Sequence, residues 1–247
     1  MSEKVFFVSN NQKVCGILEE PSQEKRIVLL IHGHGSDKNG KSILALAHAL
    51  KEVEINSFRI DLKGNGESDG KFEDQTLSSW VQDTKDAIAY LKNRGYTTID
   101  LFGSSAGGTV AMITALSEKI RLLGLKAPPS DYPAQIRDRY SKEHFEQWKE
   151  KGIAFYKVRN GVNLYERFEF YEDAKKHDLY KNAKLITAKT LLVHGTIDTV
   201  IKIDQSKELA KHIPDCRFIM LEGADHALCI NNDNTKYLTL FVDFFSN

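Results

Sequence analysis

The sequence predicts an α/β protein built on a mostly parallel sheet, on three observations. Residues 27–31 (IVLLI) are five consecutive branched aliphatics, the pattern of a strand buried on both faces of a helix-covered parallel sheet. Strand-like and helix-like segments then alternate along most of the chain, as in successive βαβ units. The length of 247 residues, 41% of them hydrophobic, suits one large α/β unit with a sizeable core.

The elements follow in order. Two β-like runs, 5–8 and 14–19, flank the turn-rich Ser9-Asn10-Asn11-Gln12 and read as an entry hairpin. Residues 27–31 are the first core strand. Residues 42–53 carry a helical period through Leu44, Ala47 and Leu50, and residues 57–62 read as a strand. Leu77–Asn93 is an amphipathic helix with Trp80, Val81, Thr84, Ala87, Ile88 and Leu91 on one face, stopped at Gly95. A strand at 99–102, a helix at 107–116 and a strand at Leu122–Lys126 complete the first half. After a gap come a strand at 190–193, a helix at 203–212, a strand at 218–221 and a closing helix at 235–245.

Residues 130–184 break this alternation. Charged residues make up 22 of these 55, against 28% of the whole chain, and 11 of the chain's 24 aromatics fall here. Runs at 153–158 and 164–170 flank Asn160-Gly161, a hairpin-turn signal. Aliphatics are too few for an independent core. The expected organisation is one main domain made of residues 1–129 and 185–247, with residues 130–184 inserted as a cap.

Composition removes several function classes. Lys+Arg 34 against Asp+Glu 34 gives net charge +0, which argues against a dedicated nucleic-acid binder and, with the hydrophobic content, against disorder. No apolar run approaches the ~20 residues of a membrane span, and the apolar Val5-Phe6-Phe7 is far shorter than the ~7–15 of a signal sequence's apolar region. Three cysteines, Cys15, Cys216 and Cys229, without a CxxC spacing, fit a reducing compartment, and the expected location is the cytoplasm.

The chemistry concentrates at strand ends. Gly103-Ser104-Ser105-Ala106-Gly107 is G-x-S-x-G between a strand and a helix. In that context the glycines let neighbouring backbone approach, the nucleophile Ser105 stands out on a tight turn, and the helix N-terminus behind it favours developing negative charge. The strand 27–31 runs into His32-Gly33-His34-Gly35-Ser36, a glycine-rich turn able to present backbone N–H groups; the His34 and Ala106 N–H groups are the expected oxyanion donors. His32 and His34 could instead be plain loop residues or metal ligands, but no carboxylate-rich partner motif lies nearby, and no metal is expected. Asp198 follows the strand 190–193 and His226 follows the strand 218–221, so the order Ser105, Asp198, His226 is nucleophile, acid, base. Asp225, next to His226 in sequence, and Asp204, at a helix start, are the competing carboxylates.

On these residues the chain resembles an α/β-hydrolase. The stretches LLIHGHGSDKNG, RIDLKGNGESDG, LFGSSAGG, LLVHGTIDTVIKI and LEGADHAL, between residues 29 and 228, resemble the serine-hydrolase branch of monoacylglycerol lipases, cinnamoyl/feruloyl esterases and serine aminopeptidase-like proteins. The resemblance implies an α/β-hydrolase fold with a small inserted cap. It assigns catalysis to Ser105, Asp198 and His226, and the oxyanion hole to His34 and Ala106. Departures are Lys63 for the branch's arginine, His34 where esterases often carry an apolar or aromatic residue, Ala106 for a frequent glutamine and Lys202 for a frequent proline; none removes a catalytic group. The cap is similar by position to the feruloyl esterase insertion, and its Phe145, Trp148, Phe155, Tyr156, Tyr165 and Phe168 either line an acyl pocket or fasten the cap to the body. The expected activity is hydrolysis of carboxylic esters of small to medium acyl or aromatic acids, without a cofactor. The expected partner is a small-molecule ester rather than nucleic acid or membrane, with a homodimer allowed. Thioester or aminopeptide hydrolysis by the same triad, a non-catalytic ligand binder, and docking through the charged cap are the alternatives.

Overall fold

The computed structural model describes residues 2–159 and 161–247. In chain order its strands are β1 (Ser2–Ser9), β2 (Gln12–Glu19), β3 (Arg26–Ile31), β4 (Ser57–Ile60), β5 (Thr98–Ser104), β6 (Leu122–Lys126), β7 (Ile153–Arg159), β8 (Val162–Arg167), β9 (Lys189–Gly195) and β10 (Cys216–Leu221). Its helices are α1 (Lys41–Glu52), α2 (Leu77–Asn93), α3 (Ala106–Ala115), α4 (Tyr132–Arg139), α5 (Lys142–Lys151), α6 (Phe168–Ala174), α7 (Leu179–Asn182), α8 (Ile203–Leu209) and α9 (Thr235–Ser246).

Eight strands form one sheet in the order β1-β2-β4-β3-β5-β6-β9-β10. The hairpin β1–β2 turns at Asn10 and Asn11, whose φ of 46° and 61° match the left-handed pair a two-residue turn needs. β2 meets β4 antiparallel, and all pairs from β4 to β10 are parallel. The chain is therefore an α/β protein with a mostly parallel sheet between helices. Ile27 through Ile31 are wholly buried, as the unbroken apolar run requires. Val28 and Leu30 pack under α1 and α9, against Leu46, Leu50 and Phe241, whereas Leu29 and Ile31 pack under α2 and α3. α3 is apolar all round and buried along its whole length, so it has no solvent face. Among the described residues no helix is long and apolar enough to cross a membrane.

Two expected elements end differently. The strand expected at 57–62 stops at Ile60, and the Leu62 N–H turns to donate to the His32 ring at 3.0 Å. The run expected as a strand over 164–170 divides: β8 ends at Arg167, and Phe168 onward is α6, whose spacing buries Phe170, Tyr171 and Ala174 together. Of the expected Asn160-Gly161 turn, Asn160 lies outside the described residues and Gly161 has a φ of 78°.

Between β6 and β9 the chain leaves the sheet and builds α4, α5, the β7–β8 hairpin, α6 and α7. The helices carry local start signals: Asp131 accepts from the Ala134 N–H at 2.9 Å, Ser141 from His144 at 3.2 Å and Asp178 from Lys181 at 3.0 Å. Trp148 anchors the segment; it is 1% exposed and its indole N–H donates to the Glu166 carbonyl at 2.8 Å. Asp173 of α6 fastens the segment to the body, accepting from the Ser78 N–H and hydroxyl at 2.8 Å each, in the first turn of α2.

Candidate active site

Ser105 stands between the end of β5 and the start of α3 with φ 53° and ψ −124°, a conformation that non-glycine residues seldom adopt. Glycine on both sides makes it reachable. A Cβ on Gly103 would collide with the Gly107 carbonyl, and a Cβ on Gly107 with the Ile31 and His32 carbonyls. The Ser105 N–H is held by the Lys126 carbonyl at 2.8 Å, which fixes the turn to the neighbouring strand.

The loops after β9 and β10 bring two more side chains to Ser105. His226 Nε2 lies 3.1 Å from Ser105 Oγ, and His226 Nδ1 lies 2.7 Å from Asp198 Oδ2. A carboxylate can only accept, so Nδ1 carries the proton and Nε2 is left to accept from the serine hydroxyl. The Asp198 side chain is fully buried. Its Oδ1 accepts from the Val200 and Ile201 N–H groups at 2.8 and 2.9 Å, and the His194 ring approaches Oδ2 at 3.1 Å. Burial alone would raise its pKa. The bonds to His194, His226 and Ile201 outweigh burial and hold the carboxyl well below the usual carboxylate range.

The competing carboxylates go elsewhere. Asp225 Oδ1 accepts from the Cys229 N–H at 2.9 Å, and Asp204 pairs with Lys207 at 2.8 Å. His32 is fully buried and tied to Gly33 and Leu62. Among the described residues, Cys15, Asp61 and Glu67 are the group with metal-ligand spacing, but the Lys38 ammonium lies between the two carboxylates at 2.6 and 2.8 Å.

The turn after β3 lies beside Ser105: a Cβ on Gly33 would stand 3.3 Å from the Ser105 Cβ. Among the described residues, neither the His34 nor the Ala106 N–H donates to another protein group. The His34 ring points inward and is 5% exposed. It stacks on Tyr156 and Phe170, with centroids 4.5 and 4.9 Å away, and its Nε2 lies 3.0 Å from Glu166 of β8. Burial pulls the ring's pKa down, against the opposing pull of Glu166, so the imidazole is neutral near pH 7.

Ser105 and His226 open into a cavity of about 770 Å³. Residues 40–43, Lys126 and Ala227 line part of it; Tyr132, Gln135, Asp138, Arg139 and Tyr156 from the inserted segment, with residues 199–202 and Asp225, line other parts. Of the six cap aromatics expected to line a pocket or fasten the cap, Tyr156 reaches the cavity. Phe145, Trp148 and Phe168 pack on one another, and Phe155 and Tyr165 face outward at 51% and 41% exposure. Sequence reasoning missed Lys126, Tyr132, Arg139 and Glu166. For Lys126 a signal existed: a charged residue closing the otherwise apolar strand LLGLK.

Comparison with known proteins is consistent with this geometry. The family profile described as "Serine aminopeptidase, S33" matches residues 22–157. The uncharacterized protein YfhR of Salmonella typhi is 34% identical over 229 residues, 91% of this chain and 72% of that one. The mitochondrial palmitoyl-protein thioesterase ABHD10 of Mus musculus is 28% identical over 211 residues, 81% of this chain and 69% of that one. The ferulic acid complex of Est1E from Butyrivibrio proteoclasticus superposes with a TM-score of 0.83 at 23% identity, covering 98% of this chain and 97% of that one.

Proposed function

The chain belongs to the serine aminopeptidase S33 family of α/β-hydrolases, and from that premise we propose that it hydrolyses carboxylic esters through Ser105, His226 and Asp198. The observation that carries the proposal is the unbroken chain from Ser105 Oγ through the His226 ring to buried Asp198, at 3.1 and 2.7 Å. In the proposed reaction Ser105 Oγ attacks the acyl carbonyl as His226 Nε2 takes its proton. Asp198 keeps the ring in the required tautomer and stabilises the imidazolium. The carbonyl oxygen gains its charge between the His34 and Ala106 N–H groups, and removing one such donor typically costs about 2.7–4 kcal/mol. His226 then gives its proton to the leaving alcohol. Water attacks the acyl-enzyme with His226 again as base, releasing the acid and restoring Ser105.

The substrates we propose are esters of small to medium acyl or aromatic acids. Support comes from the bounded cavity, with Tyr132 and Tyr156 offering aromatic walls. The reaction as written uses no cofactor or metal. We place it in the cytoplasm, acting on a small molecule and not on nucleic acid or membrane; gel filtration separates monomer from homodimer. A p-nitrophenyl ester series from acetate to long acyl chains tests the reading, with wild type beside Ser105→Ala. Burst-then-steady nitrophenol release by wild type alone is expected. No turnover of any ester by folded protein would overturn it and turn attention to thioesters and aminoacyl amides.

A further inference from the structure

Lys126 is the last residue of β6. Side chains alternate along that strand, so Leu123 and Leu125 face α2 and α3, whereas Leu122 lies in the cluster under α1 and α9. Lys126 shares the Leu122 face; its Nζ stands 6.0 Å from the centre of the Tyr237 ring of α9. The side chain is 2% exposed, yet it borders the cavity that holds Ser105 and His226.

An ammonium has three donors. One goes to the His226 carbonyl at 2.8 Å. Among the described residues no carboxylate comes within ion-pair distance of Nζ. Other buried cations of this molecule have one: Lys38 has Asp61 at 2.6 Å, Arg59 has Glu19 at 2.9 Å. Burial pulls the Lys126 pKa down to about 8, and Asp198, Asp225 and Cys229 draw it partly back up without touching it. The same cavity is bordered by the N-terminus of α1, a helix of 12 residues. Its cap, Gly40, offers no side chain, and its first turn holds no acid, so no acid of that turn offsets the positive potential of the helix end. Lys41 stands at that helix end and Asp225 at the cavity's border, both solvent-exposed.

We propose that Lys126 and the N-terminus of α1 form a carboxylate subsite beside Ser105, so that the preferred ester carries a second, free carboxylate on its acyl or its alcohol part. A single unpaired ammonium calls for one negative charge, and the free carboxylate takes the place of its missing counter-ion. The proposal rests on the hydrolase reading and adds the substrate class to it.

Two substrate pairs test it, each comparing kcat/KM with and without the charge. On the acyl side, p-nitrophenyl hemisuccinate is set against p-nitrophenyl butyrate. On the alcohol side, 4-carboxyphenyl butyrate is set against 4-(methoxycarbonyl)phenyl butyrate. Wild type is expected to favour the charged member at least tenfold in one pair, and that pair identifies which part of the ester faces Lys126. Lys126→Gln keeps a donor for the His226 carbonyl while removing the charge. Whatever it does to the catalytic loop enters both members of a pair, so the ratio is the readout, and it should fall at least tenfold; Lys126→Arg should retain it. No preference in either pair, or a ratio unchanged by Lys126→Gln, overturns the subsite and leaves the hydrolase reading standing. Calorimetric titration with succinate and benzoate separates the converse case: binding that Lys126→Gln abolishes, in a protein that turns over no ester, upholds the subsite while the hydrolase reading fails. Should Lys126→Gln not fold, the wild-type ratios and Lys126→Arg still decide.

Discussion

Ser105 sits in a backbone conformation that costs a non-glycine residue on the order of 1–3 kcal/mol, and its surroundings enforce it. Asp198 does a different task at the same scale. Four neighbours donate to or approach its carboxylate, and it remains ionised far into acid because those bonds outweigh its burial. Asp198→Asn should therefore fold, since the amide oxygen can still accept from Val200 and Ile201. Its amide nitrogen would face His226 Nδ1 and favour the wrong tautomer. Steady-state kinetics should show kcat down about 10⁴-fold, the size such a change has in other triads; retention of a tenth of wild-type kcat would remove Asp198 from the mechanism. Ser105, Asp198 and His226 were legible as candidates in the sequence because each lies in the turn or loop just past a strand, and strand ends can be read from apolar runs. The fate of the His34 ring was not legible, since nothing near it in sequence names Glu166, Tyr156 or Phe170 as its neighbours.

At the scale of elements, β8 and the turn after β3 meet through that ring. Glu166 is 1% exposed and lies between His34 at 3.0 Å and Arg139 at 3.5 Å. The residue whose N–H is proposed to face the oxyanion thus has its ring beside a carboxylate of the inserted hairpin, with the Gln75 amide also 2.9 Å from Nε2. Glu166→Gln keeps the shape but removes the charge that faces the imidazole. Its expected effect is a fall in kcat of about tenfold with KM within about twofold, a fraction of the ~10²–10³ that losing a whole oxyanion donor costs. A rise in KM at constant kcat would instead place Glu166 in substrate binding. The sequence announced β7 and β8 through their turn signal, but not α6, because Phe168, Phe170 and Tyr171 serve a period of 2 as readily as a helix until their burial is known.

At the scale of the whole molecule, the inserted segment is attached to the main body by charge as well as by rings. Burial would raise the Asp173 pKa, but His177, Ser78 and Lys176 together hold it well below the usual carboxylate range. A carboxyl whose pKa is lowered by folding stabilises the fold above its unfolded pKa, near 3.9, and loses that contribution as pH falls towards its folded value. Asp173 and Asp198 act in the same sense. Denaturant melts should show stability falling as the pH drops from about 5 to about 3, and Asp173→Asn should lower stability at pH 7 while flattening that slope. An unchanged slope would mean that the Asp173 contacts do not persist in solution.

The sequence by itself determined the layered α/β architecture, the strand ends that the proposed chemistry uses, and the chain order of Ser105, Asp198 and His226. It could do so because apolar periodicity and glycine-marked turns are local, and the sheet's parallel register then lines up the ends of β5, β9 and β10. Tertiary structure brought the expected Asp198 to His226 at 2.7 Å, across two loops 28 residues apart, and turned Asp225 to the Cys229 N–H instead. It alone also buried Lys126 with no counter-ion among the described residues and set Glu166 against His34 from 132 positions away along the chain. Those outcomes depend on which charged groups share a low-dielectric space, and that is fixed by packing between distant elements rather than by any local pattern of residues.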